Sequence, residues 1–470
     1  MEFDYTAAQW AGFSLVVLAI MLLIATRLRR RVPLLRSLFI PSAVISGFVI
    51  LILGPQMLGA WTNTQGLIPE EVLRVWAVLP GLLINVVFAS VMLGKTLPPL
   101  RQIWDTSAPH VIMGSAFSFG QFAIGALAVA FLLGPVFGMS EIAASIVELS
   151  FAGGHGTIAG MGSILVDKGA PELVDIGLGL ATISMVTGIV GGSMLVRYAV
   201  SNPRIPVART AGSPLTADTV PDLGEVPVAP VDHPKTEAGK DDIGIKPVTI
   251  AFMMIGVTIG VAMLILEGLN QLFLLFGSDL FDNFPLFPFT VIGGFIVQAV
   301  ATKLKHDRHI DKRAVDGISA ISLDVLIACA IGTMSLAALG ANIWVLVILT
   351  VLSVAWSVLG MLYLGPLIHR KNWFEHAIAD YGQSQGNVAT GFVLADMADP
   401  QRTTNVANAY GYKQLTYEPL LGGGIISAFS VTVVAQWGAL PFGIATALIT
   451  VLLVVWGARR SGGSRAAAAQ

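Results

Sequence analysis

The chain has 470 residues, 55% of them hydrophobic and 12% charged, and 27 Lys+Arg against 29 Asp+Glu leave a formal charge of −2. An ordinary soluble domain is about 25% charged, so this composition speaks against a soluble enzyme, a disordered chain and a basic nucleic-acid-binding domain. With a mean hydropathy of +0.77, what remains is an all-α polytopic membrane protein, because apolar runs of about twenty residues are helix spans and not the shorter alternating segments of a β-barrel.

Glu2 and Asp4 open the chain without a basic residue, so no cleavable signal peptide is expected. The first apolar run, 11–28, is followed by Arg29, Arg30 and Arg31. Cytoplasmic ends carry the excess of Lys and Arg, so the N-terminus is expected outside. Further runs fall at 37–54, 75–94, 108–134, 143–166, 174–198, 248–276, 285–302, 315–340, 342–366, 375–397, 405–430 and 438–457. Cys329 is the one cysteine, so it forms no intramolecular disulfide and reads as packing.

Two runs are interrupted. The first contains Gly153-Gly154-His155-Gly156-Thr157, and the second contains Gly382-Gln383-Ser384-Gln385-Gly386-Asn387 followed by Thr390. Six basic clusters, the last at Arg459 and Arg460, all become cytoplasmic if each interrupted run enters and leaves by one face. The expectation is therefore eleven full spans and two broken or re-entrant segments.

Residues 201–246 are Pro-rich and charged, and are expected to form a flexible cytoplasmic linker. They separate a first membrane repeat, 1–200, from a second, 247–430; residues 431–470 add a further transmembrane helix and tail. Pro41, Val44, Ile45, Gly47 and Phe48 recur in order as Pro288, Val291, Ile292, Gly294 and Phe295. Gly156 and Ala159 recur as Gly386 and Ala389. An odd number of crossings in the first half makes the second half inverted. Inverted repeats with interrupted helices at matching places mark secondary transporters.

A helix broken at membrane depth presents N–H groups at one half-helix start and carbonyls at the other half-helix end. The first suits a carboxylate and the second a cation such as Na⁺. Gly153, Gly154, His155, Gly156, Thr157, Gln383, Ser384, Gln385 and Gly386 are the candidate substrate contacts; Asn387, Thr390 and the mid-span Asp324 are the candidate cation ligands. His155 reads alternatively as a turn histidine, and Asp324 as a hydrogen-bonding group within the bundle. Lys413 and Glu418 lie in the same run, 405–430, and could neutralise one another. The Gly clusters near 188–192 and 422–424 read as close helix packing.

Gly382-Gln383-Ser384-Gln385-Gly386 also fits G-x-S-x-G, which keeps open an intramembrane serine hydrolase with His155 or His376 as base. A passive channel is the other alternative. No cofactor beyond a coupling ion is expected.

With these motifs in view, the sequence resembles the glutamate:sodium symporter family of bacterial membranes. The most specific element is the Gly153–Thr157 box, with Ala159 and Gly162. It is joined by Gly177-Leu178-Gly179-Leu180-Ala181-Thr182, by Gly188 to Gly192 and by Leu83-Ile84-Asn85-Val86-Val87-Phe88-Ala89. Thr390-Gly391-Phe392 and Asp399-Pro400 look like the family's divergent members. The resemblance implies two inverted five-helix halves, each with a re-entrant loop, a homodimer in the inner membrane, and Na⁺-driven uptake of glutamate.

Overall fold

The first helix, Ala7–Arg31, begins where Thr6 and Gln9 form a reciprocal capping box, and it ends on Arg29, Arg30 and Arg31. Those cations suit the negative end of the helix dipole as well as a membrane surface. The computed structural model describes residues 6–37, 40–95, 100–208, 246–278, 281 and 284–468. Of the linker expected over 201–246, residues 209–245 lie outside the described residues.

Helix is the regular secondary structure of the described residues, with no strand among them. Nine helices among them are long and apolar enough to cross a membrane: Ala7–Arg31, Ser42–Thr62, Glu70–Ser90, Ile103–Phe137, Glu172–Ser201, Pro247–Leu275, Lys312–Thr333, Ile343–Ile368 and Ala439–Ser461. Phe287–Lys303, with 17 residues, is a shorter apolar helix that begins on Phe287-Pro288, as Ser42–Leu53 begins after Pro41. Proline suits a helix start, because its missing N–H has no intrahelical partner there.

The outer faces carry many large apolar side chains, and the mainly apolar interior also holds charged ones. Phe252, Leu264, Leu275 and Leu452 are exposed, whereas His110, Gln121, Glu148, Asp380 and Lys413 are buried. Apolar surfaces facing outward, with the few charges turned inward, are what a lipid environment selects.

Two runs depart from simple spans in ways the hydropathy pattern did not predict. The run 405–430 is two helices, Val406–Tyr417 and Ile425–Trp437. Pro419 has no N–H to give, and Gly422 and Gly423 take φ of +65° and +100°, which a helix does not accommodate. The glycines at 422–424 therefore make a turn. Those at 188–192 do pack closely: a Cβ on Gly192 would collide with the Leu394 side chain, and one on Gly188 would stand 2.8 Å from the Gln385 carbonyl oxygen. The run 315–340 likewise ends its helix at Thr333 and resumes as Leu336–Ala341.

Both expected interruptions are present. The first separates Ile146–Phe151 from Gly154–Gly160, and the second separates Trp373–Ser384 from Val388–Ala398. The second pair folds back on itself, crossing so tightly at Gly382 and Gly391 that a Cβ on Gly382 would lie 2.7 Å from the Gly391 Cα.

Candidate functional site

The two interruptions meet. Gly154 takes φ of +73°, and a Cβ built there points at the Gly386 carbonyl oxygen, 3.8 Å away. A left-handed φ is cheap for glycine and costly for a branched residue. The chain thus turns at Gly154 immediately opposite the second turn, and the start of one half-helix faces a carbonyl of the other.

Around the first turn, Thr157 Oγ1 donates to the Gly153 carbonyl at 2.9 Å. His155 is buried, and its Nε2 lies 2.9 Å from Thr182 Oγ1. The Thr182 hydroxyl donates to the Leu178 carbonyl. It therefore accepts from His155, which fixes the Nε2–H tautomer and leaves Nδ1 as an acceptor. Glu148, just before the turn, is fully buried; its Oε1 accepts from the Gly422 N–H at 3.0 Å and from Ser427 Oγ at 2.8 Å. The turn at 422–424 is thereby tied to the first interruption. That tie joins residues far apart in sequence and leaves no local signature.

The second turn is held by amides and hydroxyls. Gln121 Nε2 donates to the Ser384 carbonyl at 2.7 Å, and Gln385 Nε2 donates to Ser357 Oγ at 2.7 Å and to the Ser353 carbonyl at 3.1 Å. Gln383 Oε1 accepts from Lys413 Nζ at 2.7 Å, and Gln383 Nε2 donates to Gln414 Oε1 at 2.9 Å. Asn387 caps the Val388–Ala398 helix: its Oδ1 accepts from the Thr390 N–H at 2.9 Å and from Thr390 Oγ1 at 3.2 Å. Asn387 and Thr390 are therefore in direct contact. Asp324 is on the exposed side of Lys312–Thr333 and makes no hydrogen bond with either.

Lys413 does not pair with Glu418. Both Lys413 and Asp380 are fully buried, and Lys413 Nζ donates to Asp380 Oδ1 at 2.9 Å. The other Asp380 oxygen, Oδ2, accepts from His110 Nδ1 at 2.8 Å and from His369 Nε2 at 3.1 Å. A polar chain thus runs from two histidines through Asp380 and Lys413 to Gln383, at the second turn. Sequence reading singled out Lys413 but missed Asp380, His110 and His369. The signal available was a carboxylate one helical turn before Ser384.

Ser384 Oγ donates to the Tyr381 carbonyl at 2.9 Å. His155 is engaged by Thr182 and His376 by His110. The G-x-S-x-G stretch therefore lacks the nucleophile–base contact that a serine hydrolase requires, and it spans a helix end rather than a strand–turn–helix elbow.

A cavity of about 480 Å³ lies beside the second half of the first interruption, lined by Asn85, Ala159, Gly160, Ser163 and Asp175 among others. Another, of about 590 Å³, lies near the start of Trp373–Ser384.

The family profile described as sodium/glutamate symporter matches residues 10–371, well over half of the chain. No curated protein gives a significant match.

Proposed function

Because the chain belongs to the sodium/glutamate symporter family, we propose that it is a secondary active transporter taking up glutamate or a related carboxylate with Na⁺ by alternating access. The observation that carries this reading is the meeting of the two turns, Gly154 against the Gly386 carbonyl. Half-helix N–H groups on one side and carbonyls on the other offer partners for an anion and a cation together. The substrate carboxylates would use N–H groups at Gly154 to Thr157, with His155 and Gln383 to Gly386 lining the approach. Na⁺ would use carbonyls of the second turn with Asn387 and Thr390. Asp324, which makes no hydrogen bond with either residue, is kept as a third candidate cation ligand.

The fold-back of Trp373–Ser384 on Val388–Ala398 supports a re-entrant second segment. We propose in the same terms an inverted pair of repeats, a homodimer, and an inner-membrane orientation with the N-terminus outside and 201–246 cytoplasmic. In a Cys329→Ala background, a cysteine at Ser213 is expected to escape a membrane-impermeant reagent added to intact cells. Its labelling from outside would overturn the orientation.

The functional test is uptake of labelled glutamate into proteoliposomes with and without an inward Na⁺ gradient. Uptake is expected to need Na⁺. Asn387→Ala is expected to raise the Na⁺ concentration for half-maximal uptake severalfold, with a smaller, linked fall in glutamate affinity. Uptake that ignores Na⁺ would end the sodium claim and leave the transporter claim standing. No uptake of glutamate or other small carboxylates under any gradient would end the function itself.

A further inference from the structure

We propose that His110, His369 and His376 form a binding site for one divalent transition-metal ion of the Zn²⁺ class, on the wall of the 590 Å³ cavity. The three imidazoles come from three elements: the Leu100–Ala128 helix, the C-terminal cap of Ile343–Ile368, and the first turn of Trp373–Ser384. One nitrogen from each lies within 4.8 Å of the others. The ring centroids are 4.7, 4.9 and 5.3 Å apart. All three rings line the cavity, while the rings of His110 and His369 are otherwise buried.

The arrangement around the rings is that of a metal centre. Metal-binding histidines give their second N–H to a carboxylate, which orients the ring and raises its basicity. Asp380 Oδ2 takes such a bond from His110 Nδ1 and from His369 Nε2. That leaves His110 Nε2 and His369 Nδ1 as lone-pair donors.

His376 completes the set. Its Nδ1 lies 2.7 Å from His110 Nε2. Since His110 already donates through Nδ1, His376 is the donor in that bond. On metal binding the His376 proton moves to Nε2 through cavity water, and Nδ1 becomes a ligand. Tetrahedral Zn–N bonds of about 2.0–2.1 Å put ligand nitrogens roughly 3.3 Å apart, so ring rotations and a shift of about an ångström suffice.

The cavity leaves the fourth position to water, and imidazole with water suits Zn²⁺, Co²⁺ and Ni²⁺ over Ca²⁺ or Mg²⁺. The lining also carries Arg370 and Arg460, but these have other partners. Arg370 Nη2 donates to the Arg460 carbonyl, and the Arg460 guanidinium lies 5.5 Å from the centre of the Trp104 ring. Lys371 also lines the cavity, and Asp105 on the same wall lies 3.8 Å from Arg101, so the ion's charge is met chiefly by Asp380 beneath the rings. A bound ion would tie the start of the second interrupted helix to two neighbouring helices.

The test needs no transport. Full-length, tag-free protein in detergent is titrated with Co²⁺ and its visible absorption followed. One equivalent is expected to give the intense bands of tetrahedral Co²⁺, abolished by one equivalent of Zn²⁺. The half-buried His376 is replaced by Ala to spare the fold, with a thermal melt as the check. His376→Ala is expected to weaken Co²⁺ binding by more than the hundredfold that an outer partner alone can cost. His306, which is exposed, and His309, which is half-buried, are the competing site, and their double alanine variant is expected to bind as wild type does. No spectrum at equimolar Co²⁺, or one lost with His306 and His309 and kept in His376→Ala, would overturn the site. The histidines would then be a hydrogen-bonded network alone.

Discussion

Lys413→Met is expected to remove about 3–5 kcal/mol of stability, among the largest effects of any single side chain here. The reason is the surroundings of Asp380. Both members of the pair are fully buried, so removing the ammonium leaves a carboxylate with no counter-charge in a low-dielectric interior. The imidazole donors of His110 and His369 compensate only in part. Gln383 Oε1 also loses its Lys413 donor, though it keeps Gln414 Nε2 at 3.1 Å. Replacing both charges is expected to hurt less than replacing one, because the cost is dominated by the uncompensated ion. Asp380→Asn/Lys413→Met should therefore recover at least half of the loss, since Asn still offers an acceptor to one imidazole. The readout is the fraction of monodisperse protein after heating in detergent, arranged as a double-mutant cycle. Strict additivity of the two single losses would mean that the pair does not act as a unit. A Lys413→Met variant as stable as wild type would mean that the ammonium is not needed there.

The same pair shows where sequence reading stops. Glycine clusters inside apolar runs are local signals, and they located both interruptions, because a backbone turn at membrane depth needs residues without side chains in consecutive positions. Asn387 and Thr390 were found together as polar residues in an apolar run, and the structure adds that the first caps the helix carrying the second. Asp380 and Lys413 are 33 residues apart and His110 and Asp380 are 270 apart, so no periodicity joins them. Glu418 was the nearest acid in sequence to Lys413, but side chains pair across space, and the carboxylate that reaches the ammonium comes from another helix. Asp324 drew attention as a mid-span acid, yet hydropathy does not say which face of a helix looks inward. The run 405–430 was averaged into one span although Pro419 and three glycines already marked its turn; there the signal was present and outweighed by the apolar residues on either side.

Gly154→Val is expected to abolish transport while the protein is still made and inserted. The structure separates two causes at this residue. Space is not the first: a Cβ at Gly154 meets only the Gly386 carbonyl oxygen, at an ordinary 3.8 Å. The φ of +73° is. A left-handed conformation costs an ordinary residue about 1–2 kcal/mol, and a β-branched side chain, stiff at χ1, pays more. The branches of Val would also fill the gap between the two turns, where a ligand would approach the backbone. Gly386 differs, because its φ is not left-handed and a Cβ there would stand 2.8 Å from Thr390 Oγ1, disturbing the cap that Thr390 shares with Asn387. Substitutions at Gly154 should therefore be graded. Asn tolerates the left-handed region and should keep the most uptake, Ala should keep less, and Val should keep none. Gly169 is the control, with φ of +76° and nothing within 4 Å of its Cβ position. Gly169→Val carries the same backbone penalty away from the meeting turns, and its uptake is expected to stay close to wild type. Equal loss in both variants would assign the effect to general destabilisation. Normal uptake by Gly154→Val would remove the meeting of the two turns as the seat of transport.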